Sequence, residues 1–131
     1  MREIKYRGLN EETGKWVYGW YTKLVEGIRR FDAIISDVDG ELTRFYINTK
    51  ETIGQFTGLH DKNGKEIYEG DIVSAEWTSP GYEEEDDSIP WIGDVVYSDC
   101  SYHIHQNKDE YAPTLSNCCI VSIEVIGNIH E

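Results

Sequence analysis

TIGQFTGLHDKNGKEIYEGDIV, residues 52–73, decides how the rest of the chain is read. Gly54, Gly58, Gly64 and Gly70 cut it into pieces too short for helices. The piece 53–59 reads as a strand interrupted by two of those glycines. Asn63-Gly64 is a hairpin signal, because a type I′ turn needs positive φ at both central residues. Residues 66–68 would be the short return. Gly70-Asp71 then turns the chain into a strand over 72–77. There Val73, Ala75 and Trp77 alternate with Ile72, Ser74 and Glu76, and the first set makes the better core face.

The same grammar extends in both directions. Residues 4–7 and 16–21 flank a polar stretch with turn chemistry at Asn10, Glu11, Glu12, Thr13 and Gly14, which predicts an N-terminal hairpin with a long loop. Residues 24–30 read as a strand or a loose turn around Gly27. An apolar run over 31–36 enters a turn at Asp37-Val38-Asp39-Gly40, and 42–48 is the returning strand. Residues 78–90 hold two prolines and the run Glu83, Glu84, Glu85, Asp86 and Asp87, and are expected to form a mobile acidic surface loop. Strands are expected again at 91–97, 102–106 and 120–126, the last with Val121, Ile123 and Val125 on one face. One helical turn is expected at 114–117. No apolar period of 3.6 residues lasts beyond a turn or two. The expectation is one all-β domain over 1–131. The pair Gly70-Asp71-Ile72-Val73 and Gly93-Asp94-Val95-Val96 resembles the paired strands of SH3-like barrels, which suggests a small barrel or pseudo-barrel.

Four blocks of the chain together resemble the YopX family of small phage and prophage proteins. These are MREIKYRGLNEETGKWVYG at 1–19, the 52–73 stretch, GDVVYSDCSYHI at 93–104 and IEVIGNIHE at 123–131. They fall in the family's order and cover roughly half the chain, which is more specific than any one short motif. The resemblance implies a phage or prophage origin and an opening hairpin, a late glycine-led strand and a closing strand. It implies no activity, because the family has none established.

Composition narrows the function classes. The chain has 131 residues, 39% of them hydrophobic, which is enough for a buried core and too many for a disordered chain. Four tryptophans and nine tyrosines supply amphipathic surface as well as core. Twelve basic residues against twenty-five acidic ones give a net charge of −13. Nucleic-acid phosphates and anionic membranes should repel such a chain. Direct nucleic-acid binding is therefore disfavoured, and Arg29-Arg30 is the only adjacent basic pair. The start, MREIKYRG, lacks the apolar stretch of a secretory signal, and no run approaches a membrane span. Cys100, Cys118 and Cys119 are odd in number, and adjacent cysteines on a strand point apart, so a reducing compartment is expected. The bacterial host cytoplasm satisfies all of this.

Few motifs carry chemistry. Ile34-Ile35-Ser36-Asp37-Val38-Asp39-Gly40 resembles the nucleophile motif of haloacid-dehalogenase-type phosphatases, in which Asp37 would attack phosphorus and Asp39 would act as acid and base. Glu41 stands where those enzymes carry Thr, and the alternating strands and helices of their core are missing. A hairpin turn explains the residues without chemistry. His103 and His105 share one side of a strand and could take a metal with nearby carboxylates, or could simply face solvent. In the 52–73 block, Thr57, Lys65, Glu69 and Asp71 are the polar residues that glycine geometry does not explain. They are candidate binding residues, together with the acidic run 83–87; Asp71 also suits closing the turn before it. No catalytic, cofactor-binding or metal-binding set is assigned. The expected function is non-catalytic: a protein-binding module or a self-assembling one, with a homo-oligomer as one outcome. Two alternatives stand beside it. One is an acidic nucleic-acid mimic that blocks a host DNA-binding protein. The other is a small metal-dependent hydrolase built on Asp37 and Asp39 or on His103 and His105.

Overall fold

The computed structural model describes residues 5–78, 89–106, 112–117 and 119–130. The acidic run Glu83 to Asp87, most of the 78–90 insertion and Cys118 lie outside the described residues. Ten strands follow in chain order: β1 (Tyr6–Asn10), β2 (Lys15–Glu26), β3 (Arg29–Val38), β4 (Glu41–Tyr46), β5 (Gly54–His60), β6 (Glu66–Tyr68), β7 (Asp71–Trp77), β8 (Trp91–Ser98), β9 (Ser101–His105) and β10 (Ile120–Asn128). One short 3-10 turn, Lys50–Thr52, is the only helical element among the described residues. None of their helices is long and apolar enough to cross a membrane. The protein is all-β. One sheet has the order β4-β3-β2-β1-β5-β6 and the other β10-β7-β8-β9. By contact the chain divides into two compact units, Met1–Gly58 and Leu59–Glu131.

In the first unit, β2 is shared lengthwise. Its first half, through Gly19, pairs with β1, and its second half, from Trp20, pairs with β3. Gly19 stands where the partner changes, and a Cβ there would meet the Ile35 carbonyl oxygen at 2.0 Å. No side chain fits that approach. The opening hairpin forms as expected, but its strands reach further inward, leaving only residues 11–14 as loop. The Gly14 N–H donates to the Asn10 carbonyl there. Glu26 and Arg29 pair across a two-residue turn at Gly27-Ile28, so 24–30 is strand, turn and strand. Ala33, Ile34, Ile47 and Phe56 are buried, and Gly8 leaves the room that Ile47 and Ile34 fill.

In the second unit the two Gly-Asp segments do pair. β7 and β8 run antiparallel with Val73 opposite Gly93 and Ile72 opposite Asp94. Gly93 is needed because a Cβ there would lie 2.1 Å from the His105 carbonyl oxygen. Val73 and Ala75 are buried with Ile67, Val95, Tyr102, Ile104 and Leu115, as the alternation in 72–77 predicts. Trp77 and Trp91 stack with centroids 4.9 Å apart and planes 8° from parallel.

Four expectations are corrected. First, the strands do not close into an SH3-like barrel; both sheets are open in order. In the second unit the outer sides that closure would need are already occupied. Ile104 N–H donates to Pro113 O and Leu115 N–H to Tyr102 O along β9, and Lys62 N–H donates to Ile123 O along β10. Second, the Asn63-Gly64 turn is not type I′. Only Gly64 has positive φ (81°), and its N–H donates to Asp61 O while Asp61 N–H donates to Lys65 O. That is a turn closed by a left-handed glycine, the three-residue hairpin. The two-residue turns with both φ positive are Asp39-Gly40 (52° and 85°) and Asp99-Cys100 (50° and 63°). Third, Val121 is exposed rather than in line with Ile123 and Val125, and Ile120 packs on the core instead. The pairing register of β10 shifts between Ile120 and Ser122, and such a bulge reverses which face a residue takes. Residues 114–117 are also not a helix: Thr114 bridges His103, and a single turn follows from Thr114 O to Asn117 N–H.

Candidate functional site

Asp71 is almost fully buried, and its Oδ2 accepts the Tyr68 N–H at 2.8 Å, closing the turn before β7. Gly70 in that turn has φ 89°, its N–H donates to Val95 O, and its carbonyl accepts from Ile129 N–H. The turn is thereby sewn to β8 and to the end of β10. Glu69 is half-buried within it, and Lys65 is exposed. Thr57 is buried in β5 of the first unit. Asp71 therefore does a structural job, while Lys65 presents its charge to solvent.

In the sequence Asp61 only flanks Asn63-Gly64. It is buried, and its Oδ1 accepts the N–H groups of Asn63 and Lys65 at 2.8 and 2.9 Å. Its Oδ2 accepts the Val125 N–H of β10 at 3.0 Å. Burial pushes the Asp61 carboxyl up, but the three backbone donors and the Lys65 charge more than offset it, holding the pKa below the usual value. Lys62 adds an exposed ion pair to Glu124 at 3.2 Å. The block thus fastens turn 61–65 along β10.

The candidates for chemistry fall in different units. Asp37 and Asp39 are exposed on the β3–β4 hairpin, where Asp37 Oδ1 accepts the Gly40 N–H at 2.9 Å. His103 Nδ1 lies 3.1 Å from Ser101 O, and His105 Nδ1 lies 3.3 Å from Asp94 Oδ1 across the β8–β9 ladder. Among the described residues no three His, Cys, Asp or Glu side chains are placed to hold a metal.

A different surface stands out on the first unit. β4 has β3 on one side and no strand on the other among the described residues. Ile47 N–H donates to Asp32 O, so Phe45 and Thr43 also direct their backbone groups to β3, while Leu42, Arg44 and Tyr46 direct theirs outward. The register of β4 on β3 is unbroken, with no bulge and no proline. Trp20, Ile35 and Arg44 stand in line across three strands. Leu42 is 70% exposed, Trp20 53% and Tyr46 44%. Tyr46 rests edge-on against Phe31 with centroids 5.4 Å apart. A cleft of about 160 Å³ is lined by Glu11 and Glu12 of the β1–β2 loop and by Arg44, Tyr46 and Asn48 in and just after the last half of β4. In the sequence, 42–48 reads as a returning strand and Glu11-Glu12 as turn residues. The signal for an open edge is that β4 carries large side chains on both faces and no lysine or proline to blunt it.

Charge separates the two units as well. Met1–Gly58 holds nine basic and nine acidic residues, whereas Leu59–Glu131 holds three and sixteen. The whole excess of −13 therefore belongs to the second unit.

The family model described as "YopX protein" matches residues 5–131. The chain belongs to the YopX family. Among solved structures it is similar to protein EF1440 from Enterococcus faecalis, at 23% identity over 100% of this chain and 96% of that one, with a TM-score of 0.51. At that identity the likeness speaks for the fold alone. No curated protein matches the chain.

Proposed function

We propose that this YopX-family chain is a non-catalytic module of phage or prophage origin that works in the bacterial host cytoplasm by adding a strand from a protein partner, or from another copy of itself, to β4. The uncovered outer side of β4 carries this reading. Leu42, Arg44 and Tyr46, whose outward ladder groups meet no strand among the described residues, offer backbone pairing, and the exposed Leu42 and Tyr46 side chains offer apolar cover. The neutral first unit meets a partner without the repulsion that −13 imposes elsewhere. Leu42→Pro tests it. The substitution removes an outward N–H and no ladder bond to β3. Capture of a host or phage protein, or self-association in sedimentation equilibrium, is expected with the native chain and lost with L42P. Capture and self-association that are both absent, or indifferent to L42P, would sink the reading.

The partition of charge favours a second reading, an acidic nucleic-acid mimic acting through the second unit. Reversing Glu83, Glu84, Glu85, Asp86 and Asp87 to lysine would then abolish partner capture while L42P left it intact.

A further inference from the structure

Resting on the strand-addition reading, we infer that the occupant of the β4 edge is an extended segment of another protein, apolar in its middle and basic at its ends, rather than a second copy of this chain. The inference comes from what stands at the two ends of β4. At its start are Asp37, Asp39 and Glu41, on or beside the hairpin turn. At its finish are Glu11 and Glu12, lining the cleft with Arg44, Tyr46 and Asn48. Between them lie the outward Leu42, Arg44 and Tyr46. Two copies joined edge to edge by a two-fold axis would run antiparallel. The start of each β4 would then meet the finish of the other. When the two β4 strands pair over their full length, the Asp37, Asp39 and Glu41 end of one copy approaches Glu11 and Glu12 of its mate. Centring the axis on Arg44 would also oppose two guanidiniums. Like charges directly opposed across a ladder destabilise it. A foreign strand with lysine or arginine at its ends converts both carboxylate groups from obstacles to partners. Its alternate apolar side chains lie against Leu42 and Tyr46. The edge spans about 17 Å at the usual rise of a strand, which sets the spacing of the two basic ends at roughly five to eight residues.

The test is selection of displayed random twelve-residue peptides on three immobilised proteins: the native chain, the double variant Glu11→Lys/Glu12→Lys, and Leu42→Pro. Near-ultraviolet circular dichroism checks that each variant keeps its native tryptophan environment. The native chain should enrich alternating apolar segments bounded by lysine or arginine. The double variant should exchange the basic residue at one end for aspartate or glutamate, and native-selected peptides should bind it at least tenfold more weakly. L42P should enrich nothing. Native-selected peptides with no basic preference that still vanish with L42P would overturn the inference and leave strand addition standing. So would self-association of the native chain that L42P abolishes. No enrichment on the native chain, or enrichment that L42P leaves unchanged, would overturn both.

Discussion

The two units solve the same problem in opposite ways. Every open sheet has two outer strands whose backbone groups need partners or water. In the four-stranded sheet of the second unit both outer strands are covered: β9 by the 113–115 segment and β10 by Lys62 and the Asp61 carboxylate. In the first unit β4 is left bare among the described residues, with large side chains beside it. The covered unit carries all of the net charge and the bare one carries none. The difference teaches that the bare edge is not simply what a small β protein is left with. The same chain covers both edges of its four-stranded sheet, and the unit that carries β4 is the neutral one.

That contrast can be broken at several points. The largest effects should come from the two close-approach glycines, one in each unit. Gly19→Ala would drive a Cβ to 2.0 Å from Ile35 O, and Gly93→Ala to 2.1 Å from His105 O. Because backbone must move in both, each should cost about 4 kcal/mol or more. Denaturant unfolding read by tryptophan fluorescence checks this, and Gly19→Ala should perturb Trp16 and Trp20 first. Next comes Asp61→Ala, which strips an acceptor from three backbone donors and should cost about 3 kcal/mol. It should also uncover the Val125 N–H, giving the second unit an exposed edge and raising aggregation in light scattering. The pH dependence has a definite sign. Since the folded Asp61 pKa is lowered from 3.8, its contribution is present above that value and is lost as pH falls through the lower folded pKa. Asp61→Ala should therefore show a shallower acid loss of stability than the native chain.

A smaller effect belongs to Tyr21 in the first unit. Its hydroxyl donates to Asp32 Oδ1, and that bond, with burial and the Asp32 charge, pushes its pKa up to about 12 from 10.0. The stability it lends is full below pH 10 and is lost as pH rises through about 12. Tyr21→Phe should cost about 1 kcal/mol at neutral pH and flatten the alkaline limb of the stability curve. Least of all, Lys62→Ala removes an ion pair whose side chains are 47% and 43% exposed, and should change stability by only about 0.3 kcal/mol in chemical denaturation.

Local features were legible in the sequence and long-range ones were not. Alternation alone placed Val73 and Ala75 in the core, and the glycine and aspartate at 39–40 marked a hairpin that exists. The segments led by Gly70 and Gly93 were recognisable as a strand pair, although their barrel was not there to be found. The Asn63-Gly64 turn was placed correctly but given the wrong geometry, because Asp61 draws two N–H groups of its own loop inward. That carboxylate also binds Val125, sixty-four residues away, which no local pattern announces. The bulges that turn Val121 outward depend on pairing with β7. Whether β4 has a neighbour is likewise a property of the sheet and not of its sequence. The candidate residues Lys65 and Asp71 stand out by polarity, which does not separate a residue that closes a turn from one that meets a partner.

The central claim is that the outer side of β4 is open while the outer sides of β9 and β10 are closed. Residue-resolved amide hydrogen exchange tests it most directly. The account predicts an alternation along β4, with Thr43 and Phe45 slow and Leu42, Arg44 and Tyr46 fast, while Lys62, Val125, Ile104 and Leu115 are all protected. Uniform protection along β4 in the isolated chain would contradict it, as would rapid exchange at Val125 and Ile104.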